Sequence, residues 1–575
     1  MRDVCHRPIT SVSICRALAC NHDFDHPYLA DLGSAAGDGY VPDLSGETTH
    51  NRGHHAVHST TIARPSLPRR ISGQQQTQDE VSHITMLTTI YSTLTSTPLP
   101  ITLSALLLLT SLIYLLATEF YRHKRRLSTL PGPPGLPIVG NLTHLHPDPA
   151  ETLRQWSAEY GPVYQIMLGI QPVVIFNTMQ SARDVFIGQG HSLIDKPRFY
   201  TFHSVLSTVA SSIGTTVWND STKRRRKTAA GAMNRPGVAT YLPFLDELSR
   251  SLIAELLELG GGDGEKAFNP RLSLDRAIVD LTVAINYGVR LPANEPGLLH
   301  EIIEVEDRLS RVKTPLGSPQ DFVPALRLLP FNRQTKEAAE TNRRRLVYLR
   351  RFEREMAERV KKGTDRPCIQ SNVLRDPTVE LNDVDLMSIS MSMVSGGLDT
   401  MVNTLAWTIG MLALRPAVQE AAYSATIDAY GTGSWGPIED ETGVPYITAL
   451  VKECLRYFTV FRLSLPRAAY KDIQYQGMHV PKGTMVFLNS WSCNRDKATY
   501  GEDAEEFRPE RFLEDPELPH ASYGFGTRMC AGVHLANRQL YVIILRLIWA
   551  FEVGMSEDPE EKIEHLRPLE VSEGA

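Results

Sequence analysis

Apolar residues along this chain recur mainly three and four positions apart, the spacing of helices that bury one face. From residue 148 onward that spacing predicts helices over 241–258, 297–313, 334–362, 381–414, 416–429 and 444–458. It also predicts a shorter amphipathic stretch over Leu153–Tyr160 and a last helix over Val533–Phe551. Two segments are β-rich instead. Val163–Ile175 turns at Gly169-Ile170-Gln171-Pro172, and the stretch 473–489 contains Val480-Pro481-Lys482-Gly483-Thr484, a strand–turn–strand signal. The predicted fold class is mainly α with a small β component (α+β).

One helical run has no polar face. Leu99–Ala117 (LPITLSALLLLTSLIYLLA) is apolar apart from Thr and Ser, and about 20 such residues cross a bilayer. Arg122, Lys124, Arg125 and Arg126 follow at once, which favours a single N-terminal anchor with its C-terminal side in the cytosol. Next comes Pro131-Gly132-Pro133-Pro134-Gly135-Leu136-Pro137. Proline has a fixed φ and no amide donor, so this segment is expected to be a stiff hinge.

Residues 1–85 show no hydrophobic period and are rich in His, Ser, Thr, Gly and Asp. Cys15, Cys20, His22 and His26 are zinc-ligand types, but their C-x4-C-x-H-x3-H spacing fits no common zinc module. The expectation is a disordered leader, or sequence ahead of a true start at Met86. The domain plan is therefore 1–85 leader, 86–130 anchor and basic flank, 131–141 hinge, and 142–575 globular body.

Composition narrows the classes. The 575 residues are 42% hydrophobic and carry 59 Lys+Arg against 65 Asp+Glu, a net charge of −6. That is ordinary globular composition, and the mild acidity argues against a dedicated nucleic-acid binder. Seven cysteines in a chain of this length do not make a disulfide framework.

The strongest chemical signal is Tyr523-Gly524-Phe525-Gly526-Thr527-Arg528-Met529-Cys530-Ala531-Gly532. A cysteine set among glycines, just ahead of a helix, can receive backbone N–H groups and the helix N-terminal charge. Such a thiolate suits the axial position of haem iron, and Arg528 suits a haem propionate. Cys454 and Cys493 lack this setting.

These residues resemble the haem loop of the cytochrome P450 family, Phe-x-x-Gly-x-Arg-x-Cys-x-Gly. The chain matches at Gly526, Arg528, Cys530 and Gly532, with Tyr523 in place of Phe. Three further motifs follow the family order: Gly396-Gly397-Leu398-Asp399-Thr400, Glu453-Cys454-Leu455-Arg456, and Phe507-Arg508-Pro509-Glu510-Arg511-Phe512.

The resemblance implies the P450 fold, with 142–575 as a haem-thiolate catalytic domain. It implies haem b on Cys530, proton delivery by Asp399 and Thr400, and a buried network of Glu453, Arg456 and Arg511. Arg467 is implied as a second propionate partner. The usual Trp-x-x-x-Arg is missing: Trp218 is followed by Asn219-Asp220-Ser221-Thr222, and the basic run begins at Lys223. Arg225 is the candidate there.

Dioxygen, a separate NADPH-dependent reductase and cytochrome b5 are the implied partners, and an endoplasmic reticulum membrane with a cytosolic body is the implied location. The segments Trp218–Pro236 and Tyr523–Tyr541 are similar to fungal phenylacetate hydroxylases. That similarity implies ring hydroxylation of phenylacetate or a hydroxyphenylacetate, with Arg198 and Arg462 as candidate cations for the substrate carboxylate. A secondary-metabolite monooxygenase acting on another small aromatic, and a haem sensor without turnover, stand as alternatives. An intact Asp399-Thr400 pair argues against the sensor, which needs no proton relay.

Overall fold

The computed structural model describes residues 12–15, 99–262, 266–292, 294–313, 316–329, 332–375 and 380–556. Four residues of the leader form β1 (Val12–Cys15), which runs antiparallel to β8 (Glu552–Met555). Of the zinc-type residues, Cys20, His22 and His26 lie outside the described residues.

The first long helix, α1 (Leu99–Arg125), has a mean hydropathy of 2.2 over its most apolar window, none of which is buried. At about 1.5 Å per residue it exceeds the ~30 Å of a bilayer core. The compact packing unit that contains the body takes in the chain from Leu115 onward, together with β1. Within that unit the end of α1 grips the hinge. Glu119 pairs with Arg122 and accepts the Ile138 amide at 3.1 Å. Arg122 donates to the Gly135 carbonyl at 3.1 Å, and Arg126 donates to the carbonyls of Gly132 and Pro133. From the other side, Gln165 accepts the Leu127 amide at 2.8 Å and donates to the carbonyls of Leu127 and Leu130.

The body is helical. Its principal helices are α2 (Pro149–Tyr160), α3 (Asp220–Ala232), α4 (Leu242–Leu259), α5 (Arg271–Tyr287), α6 (Pro296–Lys313), α7 (Arg333–Lys362), α8 (Asp383–Leu414), α9 (Pro416–Tyr430), α10 (Pro445–Phe458) and α11 (Val533–Ala550). Side-chain caps start several of them: Asp148 accepts the Glu151 amide, Asn219 that of Thr222, and Asn382 that of Asp385. The largest core cluster joins α4, α5, α7, α8, α10 and α11 through residues such as Leu252, Ile285, Phe352, Leu405, Leu450 and Ile544. The long α8 runs through it, packed against α5, α10 and α11.

Helix α5 has no counterpart in the apolar spacing. From Ile278 to Tyr287 every residue is buried, including Asp280, Thr282 and Asn286, so no polar stripe marks a face.

Four strands form one sheet in the order β2 (Val163–Leu168), β3 (Gln171–Phe176), β7 (Met485–Leu488), β4 (Arg467–Ala468). The β3–β7 pair is parallel and the others antiparallel. Alternate residues separate to two apolar clusters: Val174, Phe176 and Val486 on one side, Tyr164, Ile166, Ile175 and Phe487 on the other. Both faces are covered, so the strands read as continuous apolar runs.

The turn at Pro481–Thr484 does not close a hairpin. The hairpin is β5 (Ile473–Tyr475) with β6 (Met478–Val480), and the turn carries the chain from β6 into the four-stranded sheet at β7.

Candidate active site

The cysteine loop is fixed by its backbone. The Cys530 amide donates to the Tyr523 carbonyl at 3.0 Å. Gly526 has φ +66, and a Cβ there would lie 1.9 Å from the Phe186 carbonyl oxygen, so only glycine fits without displacing backbone. The Tyr523 hydroxyl donates to Asn537 Oδ1 in α11 at 2.6 Å, which gives the extra oxygen of this Tyr a partner. Of the four cysteines in the body, Cys368, Cys454 and Cys493 are buried and Cys530 is exposed. Desolvation raises the Cys530 thiol above its ordinary pKa, and the Gly532 amide and Arg226 guanidinium pull it down by less. The loop thus leaves the sulfur accessible, and a bound metal ion would favour its thiolate form.

Three buried cations stand beside this loop. Arg528 donates to the carbonyls of Ile194, Ile213 and Thr216, and its Nε has no partner. Arg467, placed by β4, donates to the Phe525 carbonyl at 2.6 Å while its Nη1 has none. Lys196, only 6% exposed, donates to the Leu465 carbonyl at 2.9 Å. None of the three has an ion-pair partner among the described residues. Burial pushes both guanidiniums down to about 9, with Arg226 adding repulsion at each. Burial likewise lowers Lys196, and Arg467 and Arg528 repel it. Buried cations without counter-charge call for anions.

Trp218 belongs here too. Its amide donates to Asp195 at 2.7 Å, and its ring lies 5.9 Å from the Arg528 guanidinium.

Arg225 does not reach this group. It pairs with Asp385 at 3.3 Å and donates to Ser388. Its neighbour Arg226 donates instead to the carbonyls of Thr527 and Met529. Successive helical residues project about 100° apart, and that rotation separates the two arginines. Arg198 is exposed. Arg462 pairs with Asp148 at 2.6 Å and stacks on Trp491. Neither stands with the three cations beside the cysteine loop, although Arg462 is itself buried. Lys196 and Arg226 escaped the sequence reading, since an isolated Lys-Pro and one member of a basic run carry no spacing signal.

On α8, Gly397 packs on Thr282 of α5, where a Cβ would lie 3.0 Å from Oγ1, while a Cβ on Gly396 would meet nothing within 4 Å. The Thr400 hydroxyl donates to the Gly396 carbonyl at 2.7 Å. Thr404 and Thr408 repeat this bond one turn on each time. The Asp399 carboxylate is held by Ser310 of α6.

The Glu453 carboxylate is fully buried with Arg456. It accepts two bonds from Arg456 at 2.7 Å and the Arg508 amide at 2.7 Å, and lies 3.3 Å from Arg511. Arg456 also donates to the carbonyls of Asn494, Ala504 and Glu506. Burial alone would lower Arg456, but Glu453 outweighs it and raises the group.

An exposed sulfur, buried cations lacking anions and a small-residue helix face fit a flat, dianionic, iron-bearing macrocycle. This donor set and fold define a haem-thiolate protein. The cytochrome P450 family model matches residues 130–572, and the chain belongs to that family: it is a monooxygenase.

The chain is 44% identical to a 3-hydroxyphenylacetate 6-hydroxylase of Emericella nidulans, over 80% of this chain and 89% of the relative. It is 39% identical to a phenylacetate 2-hydroxylase of the same organism, over 79% and 88%. A cytochrome P450 monooxygenase of Mycosarcoma maydis is 39% identical over 77% and 83%.

Proposed function

We propose that this enzyme hydroxylates the aromatic ring of phenylacetate or a hydroxyphenylacetate. The observation that carries the substrate is the 44% identity, along nearly the whole relative, to a 3-hydroxyphenylacetate 6-hydroxylase. Haem b, ligated by Cys530 Sγ, would supply dioxygen activation and the oxidising power. Lys196, Arg467 and Arg528 would hold its carboxylates, joined by Trp218, with Gly526 and Gly532 shaping the loop. Thr400 Oγ1 would hold and pass protons resupplied by Asp399. Glu453, Arg456 and Arg511 would keep the chain around the cysteine loop in register.

Electrons would come from a separate NADPH-dependent reductase, with cytochrome b5 as a second donor. Lys223, Arg224 and Lys227 are exposed on α3, the helix whose Arg226 touches the cysteine loop. They form a basic surface suited to an acidic partner. Helix α1 would anchor the enzyme in the endoplasmic reticulum membrane with the body 142–575 cytosolic, and residues 1–85 would be dispensable apart from β1, which pairs with β8.

Two measurements test this reading. Phenylacetate and 3-hydroxyphenylacetate should shift the spin state of the purified enzyme, and a reconstituted reductase should yield a product with one added ring hydroxyl. Absence of a hydroxylated product from both acids refutes the substrate.

A further inference from the structure

Asp399 and Thr400 are adjacent on α8 and so project in different directions. Thr400 is turned back onto Gly396. Asp399 lies instead in a small cleft of about 30 Å³, whose lining includes Arg271, Asp275, Asp307, Ser310 and Asn403. The site as described gives this cleft no task. It has room for one or two waters, and its walls are largely polar. Arg271 pairs with Asp275 at 3.2 Å and donates to Asn403 at 2.9 Å, while Asp307 pairs with Arg311 at 2.8 Å. Arg271, Asp275 and Asn403 are thus tied to one another at the rim. Ser310 is nearly buried and donates across the helix interface to Asp399 Oδ2.

We propose that Ser310 is a positioning residue for proton supply, holding the Asp399 carboxylate at a water-filled cleft that connects it with solvent. The inference rests on the reading that Asp399 resupplies protons to Thr400. Each proton that leaves Asp399 towards Thr400 Oγ1 is replaced from cleft water, which is itself replenished from bulk. Ser310 contributes one hydrogen bond and no charge. Its removal therefore leaves the carboxylate present and charged but without the hydrogen bond that orients its Oδ2.

The test compares Ser310→Ala, Ser310→Thr and Asp399→Asn in the haem-loaded enzyme. In Ser310→Ala the ratio of hydrogen peroxide to hydroxylated product should rise several-fold and the solvent deuterium isotope effect should grow. Ser310→Thr, which keeps the hydroxyl, should restore both. The resting enzyme provides an independent readout. The infrared carboxylate band that disappears in Asp399→Asn should shift in Ser310→Ala and return in Ser310→Thr. If Asp399→Asn raises peroxide release but Ser310→Ala matches wild type in coupling and in the infrared band, the role of Ser310 is refuted and the relay stands. If Asp399→Asn itself matches wild type, the relay reading falls and Ser310 with it.

Discussion

Glu453 offers a sharp test of how buried charge holds this fold. Replacing it with Gln preserves volume and one acceptor oxygen but removes the charge. The new amide nitrogen is a donor facing donors, since Arg456 presents two N–H groups at 2.7 Å and the Arg508 amide a third. Arg456 and Arg511 would then lie buried without their shared carboxylate. Breaking a buried pair from one side costs about 3–5 kcal/mol, a loss of roughly 10²- to 10⁴-fold in the folding equilibrium. Total stability for a folded domain is about 5–15 kcal/mol, so much of it would vanish. The control is the same change at Glu340, whose pair with Arg343 is exposed on both sides and contributes little in water. Urea unfolding followed by tryptophan fluorescence, with haem content measured in parallel, should show a large drop in midpoint for Glu453→Gln and almost none for Glu340→Gln. Equal shifts for the two variants would refute the reasoning.

Three further outcomes are expected. Cys530→Ser should abolish the long-wavelength Soret band of the reduced, carbon-monoxide-treated protein, while Cys454→Ser, at a buried sulfur bonded by Thr408, should retain it. Arg528→Ala and Arg467→Ala should each weaken haem retention, measured by transfer to apomyoglobin; unchanged transfer rates would separate these cations from the haem carboxylates. Burial raises the Glu353 carboxyl to about 7, against about 4.5 when unfolded. The native state therefore binds more protons between those values, so stability falls as pH rises through about 4.5–7 and is level above. The loss is about 1–2 kcal/mol once partial exposure is allowed for, and Glu353→Gln should flatten that slope in pH-dependent unfolding.

Most of the helical plan was legible because one-sided burial leaves a stripe, as along 334–362, where the structure has Arg333–Lys362 with its buried residues three and four apart. Helix α5 was not, because burial on all sides erases the stripe and even its Asp280 is enclosed. The cysteine loop was legible because glycine and cysteine at fixed intervals are costly to place by chance. The remaining contacts depend on tertiary approach. Lys196 meets Arg467 and Arg528 from segments far apart in sequence. Arg226 rather than Arg225 touches the loop because of a rotation about the α3 axis that the basic run leaves undetermined. Ser310 contacts Asp399 across 89 positions, and no local spacing encodes that.

The grip of α1 on the proline-rich segment decides where the chain can be cut. A version beginning at Pro131 keeps the entire body, yet loses Glu119, Arg122 and Arg126. The carbonyls of Gly132, Pro133 and Gly135 and the amide of Ile138 then lose their donors and acceptor. A version beginning at Thr118 sheds the apolar run and keeps this bracket whole. The boundary between the apolar run and the part that grips the hinge thus falls inside a single helix, about one turn before the basic residues. The version beginning at Thr118 should melt at a higher temperature than the one beginning at Pro131.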